Sequence, residues 1–204
     1  MSDEEIKKYL PKYLSAESYE QLLNELKSFP ENIDSRLFTS SLDEKYIYQG
    51  DGLSNMPTIN LLSPEISKKE TSCIVLSNTC DVSPDNKRFF TPAILYAPII
   101  TIKKYIDVMI AQKVPDEKIR NHISLLKQQK VTQLLYLPST ENCPESIVFL
   151  DRIFNVDLKY ISQEDISKRR LFSLSNYGFY ILLFKLSVHF SRIQEKVDRN
   201  NFQN

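Results

Sequence analysis

This sequence contains little glycine and no tryptophan. Only three of its 204 residues are glycine, and tryptophan is absent. Eleven tyrosines and eleven phenylalanines supply the large apolar side chains instead. Because 42% of the residues are apolar, the composition predicts a substantial hydrophobic core, and the length predicts one domain with short additions.

A surplus of charge of either sign is also missing. The chain has 26 basic and 26 acidic side chains, and this balance argues against a protein that coats nucleic acid, which would carry a basic surplus. The charges are unevenly spread, because residues 1–44 carry five basic and ten acidic side chains, whereas residues 152–204 carry nine and five. The acidic N-terminal part and the basic C-terminal part could attract each other or face different partners.

The three cysteines match neither a disulfide framework nor a zinc site. Cys73 and Cys80 are separated by six residues, Cys143 lies far from both, and the chain has only two histidines. This spacing predicts reduced thiols in a cytosolic protein, with no bound metal and no other cofactor.

Long apolar runs and a leader sequence are absent as well. The longest apolar run, residues 179–190, contains Lys185 and is too short to cross a bilayer. The N-terminal residues are acidic and amphipathic, unlike a signal peptide. The sequence therefore predicts a soluble, cytoplasmic protein that does not contact a membrane.

The hydrophobic pattern predicts an α+β fold. Short apolar runs within residues 45–100 and 131–158 are typical of strands, and we expect them to form a small twisted β-barrel or sheet. Residues 56–69 lack such a pattern and are predicted to form an irregular loop. Helices at both ends of the chain are expected to cover the sheet.

Helical spacing marks three stretches of the chain. Residues 3–28 read as two short helices, with Ser15 or Ser18 as the cap of the second, and Thr101 could cap the first of two helices within residues 101–130. The predicted organisation is an N-terminal helical segment (1–44), a β-barrel-like domain (45–160) with a helical insertion (101–130), and a C-terminal helix that packs on the barrel (161–204).

The last predicted helix, residues 177–198, has two different faces. Gly178 at its start would allow another backbone to approach closely. Its apolar stripe is expected to lie in the core and comprises Leu182, Leu186, Phe190, Ile193 and Val197. Its polar stripe is basic and comprises Lys185, His189, Arg192 and Lys196. This stripe could bind the phosphates of a nucleic acid, face solvent, or dock the acidic N-terminal helices, and the opposite charges favour docking.

A series of short motifs lies within residues 46–101. They are Gly50-Asp51, Ile74-Val75-Leu76-Ser77, Asn86 and Ala97-Pro98-Ile99-Ile100-Thr101. In this order they resemble the core of the PemK/MazF-like small β-barrels. The resemblance implies a compact barrel, often dimeric, and a relation to endoribonucleases of toxin–antitoxin systems. The strand followed by Thr79-Cys80-Asp81 is also similar to a group of uncharacterised phage- or defence-associated bacterial proteins with an LS-x-x-CD signature.

The resemblance to the barrel toxins also implies which residues would act. Their activity generally needs an arginine just before the matching strand and a serine or threonine near its end. Lys69-Glu70-Thr71-Ser72 stands before the strand here, so the arginine is missing, while Ser77 and Thr79 could supply the hydroxyl. Because the missing charge would stabilise a developing phosphorane, little or no RNA cleavage is expected.

Cys80 and Asp81 are the other candidate catalytic residues. A Cys80 thiolate could act as a nucleophile if a cation or a helix N-terminus stabilised it and if His122 or His189 lay nearby. In the alternative that we favour, Cys80 is half-buried and Asp81 accepts backbone N–H groups to hold the turn.

The same loop supplies two candidate ligand-binding residues, Asn78 and Asn86. Asn86 could also gather around a metal ion with Asp81 and Asp85, but such residues are usually turn formers, and no metal site is predicted. Because polar loops that leave buried strands commonly carry function, we expect residues 77–81 to border the main functional cleft.

Three functions are compatible with these observations. The first is a bacterial or phage accessory or defence protein with a PemK/MazF-like barrel, which binds RNA or another nucleic acid and cleaves it weakly or not at all. The second is a non-catalytic protein–protein interaction subunit of a multi-gene defence system, with a partner from a neighbouring gene. The third is a cysteine-dependent hydrolase centred on Cys80. A homodimer is compatible with each, and the sequence leaves open whether the protein is an enzyme.

Overall fold

The computed structural model describes residues 15–31, 33–60, 67–161 and 163–191. Its helices are Ala16–Lys27 (α1), Thr79–Val82 (α2), Ile102–Ala111 (α3), Asp116–Lys127 (α4), Gln163–Arg169 (α5) and Asn176–Ser191 (α6). Its strands are Phe38–Thr39 (β1), Gly52–Asn60 (β2), Ser67–Val75 (β3), Ala93–Thr101 (β4), Leu134–Leu137 (β5), Ser146–Phe149 (β6), Phe154–Asp157 (β7) and Arg170–Leu174 (β8). Short 3-10 turns span Ser35–Leu37 and Leu158–Tyr160. The helix predicted before residue 15 lies outside the described residues.

The described strands form one antiparallel sheet. They follow the order β1-β8-β2-β3-β4-β6-β5, and β7 pairs with the first half of β4. The predicted α+β class is confirmed. Of the two forms that the sequence suggests, barrel or sheet, the structure has the open sheet, because β1 and β5 at its two ends do not pair with each other within the described residues.

Local sequence explains where several helices begin. Ser15 Oγ accepts a hydrogen bond from the Ser18 N–H at 3.2 Å and caps α1. Thr101 Oγ1 accepts from the Lys104 N–H at 3.3 Å and caps α3, and Pro115 stands directly before α4. The predicted helices within residues 101–130 are therefore confirmed. No helix within the described ranges is both long and apolar enough to cross a membrane.

The sheet is buried on both faces, as successive residues of β3 show. Cys73 and Val75 pack on one side, whereas Ile74 and Leu76 pack on the other. Helices α1 and α6 cover the side of Ile74, and their buried residues include Leu22, Leu23, Ile181 and Leu182. The opposite side is covered by α2 and α5 over the long strands and by α3 and α4 over β5 and β6.

Residues 56–69 include the arms of a β-hairpin, so the predicted irregular loop is wrong. Strands β2 and β3 pair with each other on both sides of residues 61–66, which lie outside the described part. The strand pattern is obscured at Asn55, where a φ of 56° accompanies an irregularity in the ladder, and at Pro57. Proline is tolerated because β8 pairs only with the start of β2, which leaves Pro57 with a described strand on one side.

Helix α6 buries a face different from the predicted one. Leu182 is fully buried, but Phe190, which the sequence places in the same apolar stripe, is 62% exposed. Each step of four residues turns a helix by about 400°, so the stripe drifts by about 40° per step and has left the core at Phe190. Lys185 is buried on this helix instead. Ile193 and Val197 lie outside the described residues.

Gly178 brings the start of α6 against the first 3-10 turn. A Cβ atom at this position would lie 2.2 Å from the carbonyl oxygen of Leu37. The same oxygen accepts a hydrogen bond from the Ser175 N–H at 2.9 Å. The close backbone approach predicted at Gly178 is therefore confirmed.

Candidate functional site

The loop that follows β3 is held by its own polar side chains. Asn78 caps α2, since its Oδ1 accepts a hydrogen bond from the Cys80 N–H at 2.9 Å. Asn86 Nδ2 donates to the Cys80 carbonyl oxygen, also at 2.9 Å. Both asparagines predicted to bind a ligand are thus engaged in stabilising the turn, although both remain exposed.

The two hydroxyls that the family resemblance nominates also hold the backbone. Ser77 is buried, and its Oγ accepts from the Leu95 N–H at 2.8 Å and donates to the Ala93 carbonyl oxygen at 3.4 Å. Thr79 Oγ1 accepts from the Gln49 N–H at 3.0 Å. Ser77 therefore joins the end of β3 to β4, and Thr79 anchors the preceding turn, so both hydroxyls have a structural role.

Cys80 and Asp81 are both exposed, and neither contacts an imidazole within the described residues. The Arg88 guanidinium donates to the Asp81 carboxylate and forms an ion pair with it. His122 Nε2 lies 3.0 Å from the Tyr105 hydroxyl oxygen, and the His189 ring contacts Phe190. The half-buried Cys80 that we favoured is therefore wrong, and the arrangement also lacks the base that a cysteine nucleophile needs.

Among the described residues, this loop belongs to no metal-ligand cluster and lines none of three clefts. The described residues contain no group of three histidine, cysteine, aspartate or glutamate side chains that could hold a metal ion. Three clefts of about 490, 480 and 430 Å³ occur in the described part of the chain, and residues 77–81 line none of them. The sequence predicts that this loop borders the main cleft, and for these three clefts the prediction is wrong.

Asp51 of the Gly50-Asp51 motif is a buried structural carboxylate. Its Oδ1 accepts from Ser173 Oγ at 2.6 Å, and its Oδ2 accepts from the Tyr48 N–H at 2.9 Å and lies 3.0 Å from Arg170 Nη2. Burial raises the pKa of Asp51, while the hydrogen bonds and the Arg170 charge act in the opposite direction. These contacts tie the turn before β2 to β8. The sequence could not reveal them, because Ser173 and Arg170 lie far along the chain.

The basic stripe predicted on the last helix is not a continuous exposed face. Lys185 is buried, and its Nζ donates to the carbonyl oxygens of Gln129 and Val131 at 2.9 and 2.5 Å. Burial lowers its pKa to about 8. Lys185 is therefore a core residue, which corrects its predicted role in ligand binding. His189 is half-buried, and Arg192 and Lys196 lie outside the described residues.

A different group of basic side chains surrounds the exposed ring of Tyr160. Lys68 Nζ lies 5.7 Å and Arg169 Cζ lies 5.5 Å from the centroid of this ring, which is the range of cation–π contacts. Lys159 and Lys168, the sequence neighbours of Tyr160 and Arg169, are exposed. We call these residues the Tyr160 cluster; they are Lys68, Lys159, Tyr160, Lys168 and Arg169.

The Tyr160 cluster combines one anchored cation, Arg169, with three exposed lysines. Arg169 Nε donates to the Ser54 carbonyl oxygen at 3.1 Å, and its Nη2 donates to the Asn55 carbonyl oxygen at 2.7 Å. Within the described residues, none of the four cations of the cluster forms an ion pair. The only sequence signals for the cluster are the doublets Lys68-Lys69 and Lys168-Arg169, which lie in distant segments.

Comparison with known proteins finds no family model that matches this chain and no curated protein with significant similarity to it. The fold and the site are therefore described by their own geometry. They define an α+β protein with an open antiparallel sheet, a polar loop used for structure, and an exposed tyrosine beside basic side chains that form no ion pair within the described residues.

Proposed function

We propose that this protein binds single-stranded nucleic acid at the Tyr160 cluster and does not cleave it. The observation that carries the proposal is the exposed Tyr160 ring, 38% accessible, with two cations within 6 Å of its centroid. Proteins that bind single strands combine these two features, since bases stack on aromatic rings and cations hold the phosphates.

The basic side chains of the cluster form no ion pair with any described residue, which supports this interpretation. A lysine already paired with a carboxylate gives up that contact when it binds phosphate, whereas an unpaired lysine does not. The cations would give an affinity that falls as salt rises, because phosphate binding releases counterions. The anchored Arg169 would keep its plane beside the tyrosine ring, where a base could extend the stack.

Binding without cleavage is supported by the state of the candidate catalytic side chains. The Ser77 and Thr79 hydroxyls are engaged with the backbone, and Cys80 has no imidazole contact in the described structure. The proposal keeps the nucleic-acid ligand that the sequence suggests but moves its site away from Lys185 and His189. The resemblance to the PemK/MazF-like family and a role in phage defence stay predictions.

The test is a titration of the protein into fluorescent single-stranded RNA and DNA of ten nucleotides, at low salt, followed by anisotropy. Tyr160→Ala should weaken binding about 5- to 150-fold, the cost of losing one stacked base. Tyr160→Phe keeps the ring and should bind almost normally. Lys68→Ala should reduce the slope of log affinity against log salt by about 0.7.

Lys118→Ala is the matched control, because this exposed lysine lies on α4, away from the contacts of the Tyr160 cluster. It should change neither the affinity nor the salt slope. The RNA and DNA probes show whether the 2′-hydroxyl contributes. Absence of binding at low salt, or equal binding by Tyr160→Ala, would refute the proposal. Cleavage of the RNA that is lost in Ser77→Ala would refute its non-catalytic part.

A further inference from the structure

Two consecutive phenylalanines project from the loop between α2 and β4. The Phe89 and Phe90 side chains are 104% and 87% exposed. Apolar side chains of this size gain much from leaving water, so a pair that remains in solvent points to a binding surface. The preceding part of the loop is tied down, since Arg88 pairs with Asp81 and Asn86 donates to the Cys80 carbonyl oxygen.

The two phenylalanines lie at the same end of the sheet as Tyr160. Strand β7 runs beside the first half of β4, and the Leu158 N–H donates to the Pro92 carbonyl oxygen at 3.0 Å. Phe90 is two residues before Pro92, and Tyr160 is two residues after Leu158. Two residues span at most about 7 Å, so the Cα atoms of Phe90 and Tyr160 are at most about 20 Å apart.

From this proximity we infer that Phe89 and Phe90 form a second stacking platform for the same nucleic-acid strand. The inference rests on the proposed function of the Tyr160 cluster and extends it to a ligand length. A span of at most about 20 Å corresponds to at most roughly six nucleotides at 3.4 Å per stacked nucleotide. Single strands of this length are typical of one binding module.

The charges of the loop between α2 and β4 indicate that this loop contributes to binding in a different way from the Tyr160 cluster. The charge of Arg88, which directly precedes the two phenylalanines, is balanced by Asp81. The platform therefore contributes stacking, whereas the cations around Tyr160 contribute the salt-dependent contacts. Two linked contacts on one strand raise the overall affinity, because the second contact forms within an existing complex.

The experiment compares oligouridylates of three and ten nucleotides, measured by anisotropy over a range of salt. The shorter probe can reach one platform, and the longer one can reach both. The double variant Phe89→Ala/Phe90→Ala should bind the ten-nucleotide probe at least about 5-fold more weakly. It should keep the salt slope of the unmodified protein and bind the three-nucleotide probe unchanged. Phe89→Tyr/Phe90→Tyr preserves the rings and should restore binding.

Phe184→Ala is the control, because Phe184 is an exposed phenylalanine on α6 and should not affect either probe. If Tyr160→Ala weakens binding but the Phe89→Ala/Phe90→Ala variant binds the longer probe normally, this inference fails and the proposed function stands. The two phenylalanines would then be a surface for a protein partner. If the unmodified protein binds neither probe, the proposed function fails together with this inference.

Discussion

The ammonium group of Lys185 lies in the interior and is hydrogen-bonded to two backbone carbonyl oxygens. Removing a charged amine from water favours its neutral form, and burial lowers the pKa of Lys185 to about 8 from an ordinary value of 10.5. The two carbonyls follow α4, so this lysine joins α6 to the segment that leads into β5. A residue that the sequence assigns to a basic face is thus part of the packing between two elements.

This burial predicts a stability that rises with pH. Between pH 8 and 10.5 the unfolded chain keeps a proton that the folded chain has released, so folding becomes more favourable as pH rises through this window. Below pH 8 both states are protonated, and the full cost of burying the charge is present. From pH 7.5 to 9.5, the free energy of unfolding of the unmodified protein should rise by about 2 kcal/mol relative to that of Lys185→Met.

Urea unfolding of both proteins at the two pH values measures this difference. The comparison cancels the titration of other groups, such as the tyrosines, that both proteins share. Parallel pH profiles for Lys185→Met and the unmodified protein would show that the amine is not titrating in the interior.

At the scale of elements, α6 shows how a sequence pattern can predict the wrong buried face of a helix. Ile181, Leu182 and Lys185 are buried and lie within one turn of each other, whereas Phe184 and Phe190 are exposed. The methylene groups of Lys185 pack in the core and its amine reaches two carbonyls, so a charged residue occupies a core position. A pattern based on residue type alone therefore placed Lys185 in a polar stripe outside the core and Phe190 in the core.

The buried face of α6 predicts unequal costs for two truncations on this helix. Leu182→Ala should lower the free energy of unfolding by about 2–5 kcal/mol, because it leaves a cavity in a closed core. Phe190→Ala should cost less than about 1 kcal/mol, because the ring is largely in solvent and its removal leaves no cavity. Chemical denaturation of the two variants measures both values, and a larger loss for Phe190→Ala would mean that the exposed face of α6 is covered.

The β2–β3 hairpin is the element that sequence reasoning failed to identify. Strand prediction relies on alternation between apolar and polar residues. The irregular ladder near Asn55 shifts this alternation, and Pro57 argues against a strand unless its edge position is known. The short strand at Cys73-Ile74-Val75 was predictable, because an apolar run of this length is typical of a strand buried on both faces.

At the scale of the whole molecule, the two ends of the described chain share one core. Leu22 of α1 and Leu182 of α6 belong to a single cluster that also contains residues of β3, β4, β5, β6 and β8. Strand β8 lies between β1 and β2, so the sheet cannot be completed before Arg170–Leu174 has been synthesised. The helices and the sheet are therefore expected to unfold together.

This shared core predicts one cooperative transition. In thermal unfolding, far-ultraviolet circular dichroism and the near-ultraviolet signal of the tyrosines should change at the same temperature. Leu22→Ala should lower both midpoints equally, with a loss of about 2–5 kcal/mol. Val108→Ala, at an exposed position of α3, should leave both nearly unchanged. Loss of helical signal before the tyrosine signal in Leu22→Ala would show that α1 unfolds independently.

The sequence by itself determined the features that depend on neighbouring residues. The α+β class, the caps at Ser15 and Thr101 and the close approach at Gly178 follow from local spacing, capping chemistry and the absence of a Cβ atom. Each of these signals acts over a few residues, so one chain segment is sufficient to recognise it.

Only the tertiary structure decided where the candidate sites lie and whether the sheet closes into a barrel. Ser173 reaches Asp51 across 122 residues, and the Tyr160 cluster brings Lys68 beside a ring that is 92 positions further along the chain. No local pattern records such contacts, because they depend on β8 lying between β1 and β2 and on β7 lying beside β4. The same pairings leave β1 and β5 unpaired with each other within the described residues, so the sheet stays open. The pairing of β7 with β4 also places the exposed residues Phe89, Phe90 and Tyr160 at the same end of the sheet.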